Sequence, residues 1–419
     1  MHHRQTLILA MKILSLPVLL ASIAFHGFAF ADQAKPPEPR VIALAEAGDK
    51  DSQAYLAALY ENGQGVAKDE AKALDLYQKA AQQGHVGAQS RLGDLYLTGQ
   101  GGLWQSNYFA SYWFLKAAEQ GHPHAQERLA GMYFDGRGVR QDYEQAAAWY
   151  GKAAASGNIA AQAALGGMYL HGKGVARDLR LAFDWTTKAA EKSHLSAQAT
   201  LAVLYAEGKG TAQDYAKAAE WARKAADLEV VPAQALLGVL YYNGQGVTKD
   251  FRLAREWSSK AADKGSGLAA ETLGFIYYHG DGIGKDLPKA GLLFKQAAMQ
   301  GQAQAALYLG IMYEEGVGVP QHFRNATAWY RRSAEAGVAE GQHRLGLAYL
   351  NGMGVERDSV LAYALFNLAA AAGNENAKVR RKEMLTLLTR PQLAEGQAIA
   401  NAWKPRSALP LNSQSAVRL

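Results

Sequence analysis

Nine times along this chain two glycines stand one residue apart behind a tyrosine, in phrases such as YENGQGVAKD from Tyr60 and YLHGKGVARD from Tyr169. A Gly-x-Gly turn can cradle phosphates, because free backbone N–H groups at a helix start attract anions. That chemistry needs a strand before the turn, and here the residues before each pair have helical spacing. The 11 histidines raise the question of a metal. His122 and His124 are the best-spaced pair, while His85, His122 and His194 share one repeat column just after a helix. No cysteine exists to join them, and beyond Glu127 no acidic residue stands at ligand spacing. They read as loop residues facing solvent. Carboxylates such as Asp69, Asp142 and Asp178 recur at one place, just ahead of a helix, where they serve as caps rather than as acid/base pairs. No Walker loop, His-Glu-x-x-His or Gly-x-Ser-x-Gly is present. The reading is a protein that is not an enzyme, with no catalytic residue, metal or cofactor.

The elements that carry these residues follow from the column pattern. The anchoring tyrosines, Tyr60, Tyr96, Tyr133, Tyr169, Tyr205, Tyr241, Tyr277, Tyr313 and Tyr349, are 36 residues apart, with 37 between Tyr96 and Tyr133. A period of this size marks a solenoid of stacked units. Four residues before each Tyr stands a Leu, and eight before it a small residue, which places all three on one face of a first helix. The residue after each Leu is Ala or Gly, small enough for close approach. Three residues after the Tyr a Gly stops the helix, a second Gly follows, and an Asp or Ser starts the next helix. That second helix repeats Ala, Trp, Ala at i, i+3 and i+7, as in Ala182, Trp185 and Ala189. In the fourth copy Tyr169, Gly172, Gly174, Asp178 and Trp185 are thus structural residues of the repeat.

The 419 residues are 49% hydrophobic and 20% charged, with a net charge of +6 spread along the chain and no basic run of nucleic-acid type. The first stretch differs. From Met11, an alternative start, a basic Lys12, an apolar core and Ala29-x-Ala31 have the layout of a signal peptide over residues 1–31. A Pro-rich spacer, 32–40, follows. The reading is therefore a periplasmic or secreted protein, attached to a membrane only if the leader stays uncleaved. The absence of cysteine excludes disulfides, so packing must hold the array. Capping helices are expected at Val41 to Gly48, at Asn374 to Leu388 and at Pro391 to Trp403, bounding the 41–373 solenoid and the 374–403 cap; a flexible tail, 404–419, closes the chain.

The column set, Ala-Gln-x-x-Leu-Gly-x-x-Tyr-x-x-Gly-x-Gly-Val-x-x-Asp-x-x-x-Ala-x-x-Trp-x-x-Lys-Ala-Ala-x-x-Gly, strongly resembles the Sel-1-like repeat family, relatives of the tetratricopeptide repeats, from about Val41 to Gly373. The resemblance implies an all-α fold, a right-handed α/α superhelical solenoid of nine repeats with terminal capping helices, and an adaptor or regulatory role in bacterial envelopes or host contact. Ser193, Glu229 and His322 depart from it, standing where Gly, Gly and Asp are expected. By the same resemblance, positions flanking each Tyr face the concave surface. Phe134, Asp135, His171, Tyr242, Asn243, Phe275, Tyr278 and His279 are then the candidate binding residues, with apolar anchors beside polar groups as in protein interfaces. A second candidate is the irregular loop TGQGGLWQSNYFAS, where Trp104, Tyr108 and Phe109 cluster. Two functions follow. The first is a monomeric scaffold that binds a partner protein on the concave face. The alternative is an envelope factor whose exposed rings stack on carbohydrate during polysaccharide export or wall remodelling.

Overall fold

Two turns per repeat dictate the architecture. The structure, a computed structural model, describes residues 36–405 and 407. The leader, His2, His3, His26, the first part of the spacer and most of the tail lie outside the described residues. After α1 (Pro39–Glu46) the nine repeats each contribute two helices. The first helices are α2 (Lys50–Asn62), α4 (Val86–Thr98), α6 (Pro123–Asp135), α8 (Ile159–His171), α10 (Leu195–Glu207), α12 (Val231–Asn243), α14 (Gly267–His279), α16 (Ala303–Glu315) and α18 (Ala339–Asn351). The second helices are α3 (Glu70–Gln82), α5 (Asn107–Glu119), α7 (Tyr143–Ala155), α9 (Leu179–Glu191), α11 (Tyr215–Ala226), α13 (Phe251–Asp263), α15 (Leu287–Met299), α17 (Phe323–Glu335) and α19 (Ser359–Ala371). Finally α20 (Glu375–Leu387) and α21 (Arg390–Ala402) both pack on α19. The fold is an all-α solenoid, with no strand among the described residues. Its contacts divide into two compact units, one ending at His194 and one starting at Leu195.

The first turn of a repeat is closed by backbone alone. In the fourth repeat Gly172 takes φ +67° and donates to the Met168 carbonyl, so the helix ends left-handed. The N–H of the capping residue then returns to the carbonyl of the column tyrosine in all nine repeats, as from Asp178 to Tyr169 at 3.1 Å. The Asp178 carboxylate accepts from the N–H groups of Arg180 and Leu181 and starts α9. The second glycine does something different. Gly174, at φ +68°, lies against α7 of the preceding repeat so closely that a Cβ would stand 1.9 Å from the Tyr143 carbonyl oxygen. The same approach recurs at Gly138, Gly246, Gly318 and Gly354. The first glycine thus ends a helix, and the second lets one repeat dock on its predecessor.

Side chains complete the stacking. A buried glutamine near the start of most first helices reaches back eight residues; Gln89, Gln126, Gln162 and Gln234 donate to the carbonyls of Ala81, Ala118, Ala154 and Ala226 at 3.1 to 3.2 Å. In the seventh repeat, where Ala270 replaces that glutamine, Gln296 of α15 donates to the Ala262 carbonyl instead. The small residue after each Leu seats a ring or hydroxyl of the second helix; Gly93 faces Phe114, Gly274 faces Phe294 and Gly310 faces Tyr330. The tryptophan column is less uniform. Trp149 and Trp257 are buried, while Trp113, Trp185, Trp221 and Trp329 are half-buried with Lys or Arg lying over all of them but Trp113. At Ser193 and Glu229, where glycine is missing, the backbone keeps its left-handed form, with φ +64° and +63°.

Candidate partner-binding surface

Which side of the array can receive a partner follows from how the helices crowd. In the second unit α12 packs directly on α14, and α10 on α12 and α14 on α16 do so less closely; in the first unit α4 touches α6. Among the described residues no two second helices of successive repeats meet to a comparable extent. Within each unit the first helices therefore form the inner, tighter side of the curve.

On that side of the second unit the aromatic candidates meet. The Tyr242 hydroxyl, on α12, donates to Asp281 at 3.0 Å, and its ring stands 6.5 Å from Phe275 and 5.6 Å from Phe251. Burial first, then the hydrogen bond and charge of Asp281, push the Tyr242 phenol well above its ordinary value. Phe275, on α14, is wedged between Phe294 at 5.2 Å and Tyr308 at 4.9 Å. It is a half-buried support rather than a free anchor. Tyr278 and Tyr308 are half-buried, whereas Asn243 and His279 are exposed. The structure thus gathers Tyr242, Asn243, Phe275, Tyr278 and His279 into one neighbourhood. Tyr308, on α16, is the member that sequence reasoning missed, because it lies five residues before the column tyrosine Tyr313 and outside the flanking positions considered.

The other candidates belong to the first unit. Phe134 meets Tyr143 edge to face at 5.1 Å under the Lys173 ammonium, Asp135 pairs with Arg137 at 2.9 Å, and His171 is exposed. In the irregular repeat the extra residue relaxes the docking of the loop, so that a Cβ on Gly101 would keep 3.6 Å from the Glu70 carbonyl. A cavity of about 370 Å³ opens there, lined by Glu61, Lys68, Tyr77 and Arg91 among others. Trp104 is 75% exposed and Tyr108 66%, and Tyr112 follows one turn later at 46%. Phe109 is less free, 5.3 Å from Tyr96.

The histidines do unexpected work. His85, His122 and His322 each accept a backbone N–H on Nδ1, from Ala88 at 3.0 Å, Ala125 at 3.3 Å and Asn325 at 3.1 Å. His85 and His122 are thus half-buried N-caps rather than solvent-facing loop residues, and His322 is an exposed N-cap, all in positions where sister repeats use Asp, Asn or Ser. His124 instead meets Asp94 at 3.0 Å, and Arg128 joins them. Burial raises the Asp94 carboxyl, but the hydrogen bond and charge of His124, with Arg128, outweigh it and leave a net lowering. No group of three His, Cys, Asp or Glu among the described residues could hold a metal ion. Two further polar sets were not anticipated. Glu61 accepts from Tyr77 and Arg91, and Glu314 from Tyr330 and Arg344, tying three helices together at each end of the array. No helix among the described residues is long and apolar enough to cross a membrane.

Known proteins place the chain in context. The profile described as Sel1 repeat matches nine consecutive segments, 50–85, 86–122, 123–158, 159–194, 195–230, 231–266, 268–302, 303–338 and 339–374. Among solved structures, a protective antigen of uropathogenic Escherichia coli strains displaying an SLR fold is similar at 28% identity and a TM-score of 0.54, over 91% of this chain and 98% of that one. A Sel1 repeat protein from Oxalobacter formigenes is similar at 33% identity and a TM-score of 0.50, over 74% and 89%. No curated protein matches the sequence.

Proposed function

The chain belongs to the Sel1 repeat family, whose fold serves protein–protein interaction, and on that premise we propose that it is a scaffold that docks a partner protein on the first-helix face of its second unit. The observation that carries this reading is the set of rings on three consecutive first helices, Tyr242, Phe275, Tyr278 and Tyr308, with Asn243 and His279 exposed at their edge. Half-buried aromatic anchors beside polar groups are the composition of interface hot spots. The test is photo-crosslinking in the native cell from positions 243 and 278, with the exposed loop residue Glu356 as control. One protein captured from both surface positions and not from the loop is expected. Equal adducts at all three positions would refute the groove.

The leader-type stretch from Met11 supports export to the periplasm or beyond. N-terminal sequencing of fractionated protein should then begin at Asp32; an intact start in the cytoplasm would refute export. A second reading has its own support in the exposed stripe of Trp104, Tyr108 and Tyr112. Flat exposed rings, one in the loop before α5 and two a turn apart on that helix, suit stacking on carbohydrate. Polysaccharide fragments should then quench the fluorescence of the native chain and not of Trp104→Ala, and identical responses would sink that reading.

A further inference from the structure

We propose that the ring cluster on α14 and α16 receives a basic side chain, so that the partner presents an arginine or lysine there; the inference rests on the docking surface proposed above. Three rings form a corner. Tyr278 and His279 are 5.1 Å apart at 89°, Tyr278 and Tyr308 5.4 Å at 87°, and His279 and Tyr308 6.3 Å at 83°. Phe275 and Phe294 back the corner from within, His279 is exposed and Tyr278 half-buried, and the face of an aromatic ring is the negative pole of its quadrupole.

Carboxylates flank the corner. Asp281 stands two residues beyond His279 and already holds the Tyr242 hydroxyl. Glu315, at the end of α16, is close enough that its charge adds to burial in pushing the Tyr278 phenol up. The basic groups nearby are committed elsewhere. Arg344 is bound to Glu314 at 3.1 Å and Glu340 at 2.8 Å, and Lys249 lies over Phe251 at 4.6 Å and Tyr242 at 5.9 Å. In a chain of net charge +6 this is a locally acidic, ring-lined surface.

The array shows what its other aromatic residues do. Lys152, Lys188, Lys224 and Lys260 lie over Trp149, Trp185, Trp221 and Trp257 at 3.8 to 4.3 Å, and Arg332 over Trp329 at 4.7 Å. No lysine or arginine of the described residues lies over Tyr278 or Tyr308. Cations lie also over Tyr60, Tyr205, Tyr241, Tyr242 and Tyr277 of the first helices, so Tyr278 and Tyr308 differ from these in leaving that position to another molecule.

The test uses a fluorescein-labelled Gly-Ser dodecapeptide carrying two arginines, and a twin in which neutral citrulline replaces them, titrated with the full chain at low salt. The arginine peptide should bind about tenfold tighter, the scale of a partly desolvated cation–π contact, and weaken as salt is added. The double variant Asp281→Asn, Glu315→Gln should abolish the preference; the amide introduced at position 281 retains an acceptor for the Tyr242 hydroxyl, so the local fold is kept. Equal affinity for the twins, or a preference untouched in the double variant, would overturn the proposal. Crosslinked capture at position 278 alongside equal peptide binding would overturn the cation site and leave the docking surface standing. Failed capture with the arginine preference intact would remove the protein partner and keep the cation site.

Discussion

Replacing Gly174 by alanine tests whether the second glycine serves its own turn or its neighbour. Its φ of +68° is left-handed, which costs an L-residue about 1–2 kcal/mol. The added Cβ would also stand 1.9 Å from the Tyr143 carbonyl oxygen, a separation that no relaxation of a side chain can relieve, since both partners are backbone. The loop must lift from α7, which adds about 1–3 kcal/mol of overpacking strain. Gly174→Ala should therefore lose about 2–5 kcal/mol, the sum of these two terms. Gly157→Ala is the control from the preceding repeat. Its φ of +87° is the less tolerant of the two, yet the nearest atom to its Cβ is the flexible end of Lys192 at 3.9 Å, so only the backbone term remains. Urea unfolding followed by circular dichroism measures both variants. Because neighbouring repeats are coupled, loss at one interface should also broaden the transition of Gly174→Ala. A Gly157→Ala variant as destabilised as Gly174→Ala, or more so, would refute the assignment of the second glycine to inter-repeat docking.

Ser193→Gly should raise stability by about 1 kcal/mol, because Ser193 already holds φ +64° without a glycine's freedom; thermal unfolding checks it, and no gain would contradict the strain. His122→Asn replaces a titrating cap by the one Asn158 provides in the next repeat. Burial, ahead of the charge on His124, holds the His122 imidazole below its ordinary value despite the opposing pull of Asp94. A base lowered on folding contributes stability that is full above its unfolded value near 6.5 and is lost as the pH falls through its folded value. The variant should thus match the native protein at pH 7.5 and exceed it increasingly toward pH 5 in urea midpoints. A pH-independent difference would exclude the cap as the cause. Phe294→Ala should cost about 3–5 kcal/mol, since the ring is fully buried against Gly274. It should also weaken capture at position 278, because Phe294 supports Phe275 and Tyr308.

What could be read from the sequence was whatever the period repeats. The tyrosine, leucine and glycine columns carry local geometry, so helix existence, the Gly63-type stop and the Asp69-type start follow from residue type alone. Relations between repeats were less visible. That Gln126 reaches the Ala118 carbonyl, or that Gly138 leans on the carbonyl of Asn107, depends on how one unit is set on the previous one. A column shows that a residue recurs without showing what it touches. The histidines were misread for a related reason. Asp, Asn and Ser are recognised as caps by type, whereas His122 caps through a ring nitrogen, Nδ1, which accepts the Ala125 N–H. The candidate surface was legible as positions and not as a cluster: the flanking rule finds Tyr242 and Tyr278 but has no place for Tyr308, which joins them only through the approach of α14 to α16.

The location of the cluster follows from the same crowding. Where α12 meets α14 more closely than any other pair of first helices, side chains projecting from the inner side must overlap, and large planar rings fill such a space by packing edge to face. Packing of this kind immobilises Phe275 against Phe294 and Tyr308, so the outer members, Tyr278 and His279, are held on a rigid base before any partner arrives. Pre-ordered rings have little side-chain entropy left to lose on binding. The exposed ring of Trp104 lacks such a base, since it springs from the loop that the extra residue has lifted from α3, and Tyr108, at the start of α5, rests on Phe109 alone among the described rings. The tightest stretch of the solenoid thus also holds its rings most firmly, which is the ground for proposing a protein partner at the second unit rather than at the more exposed aromatic residues of the first.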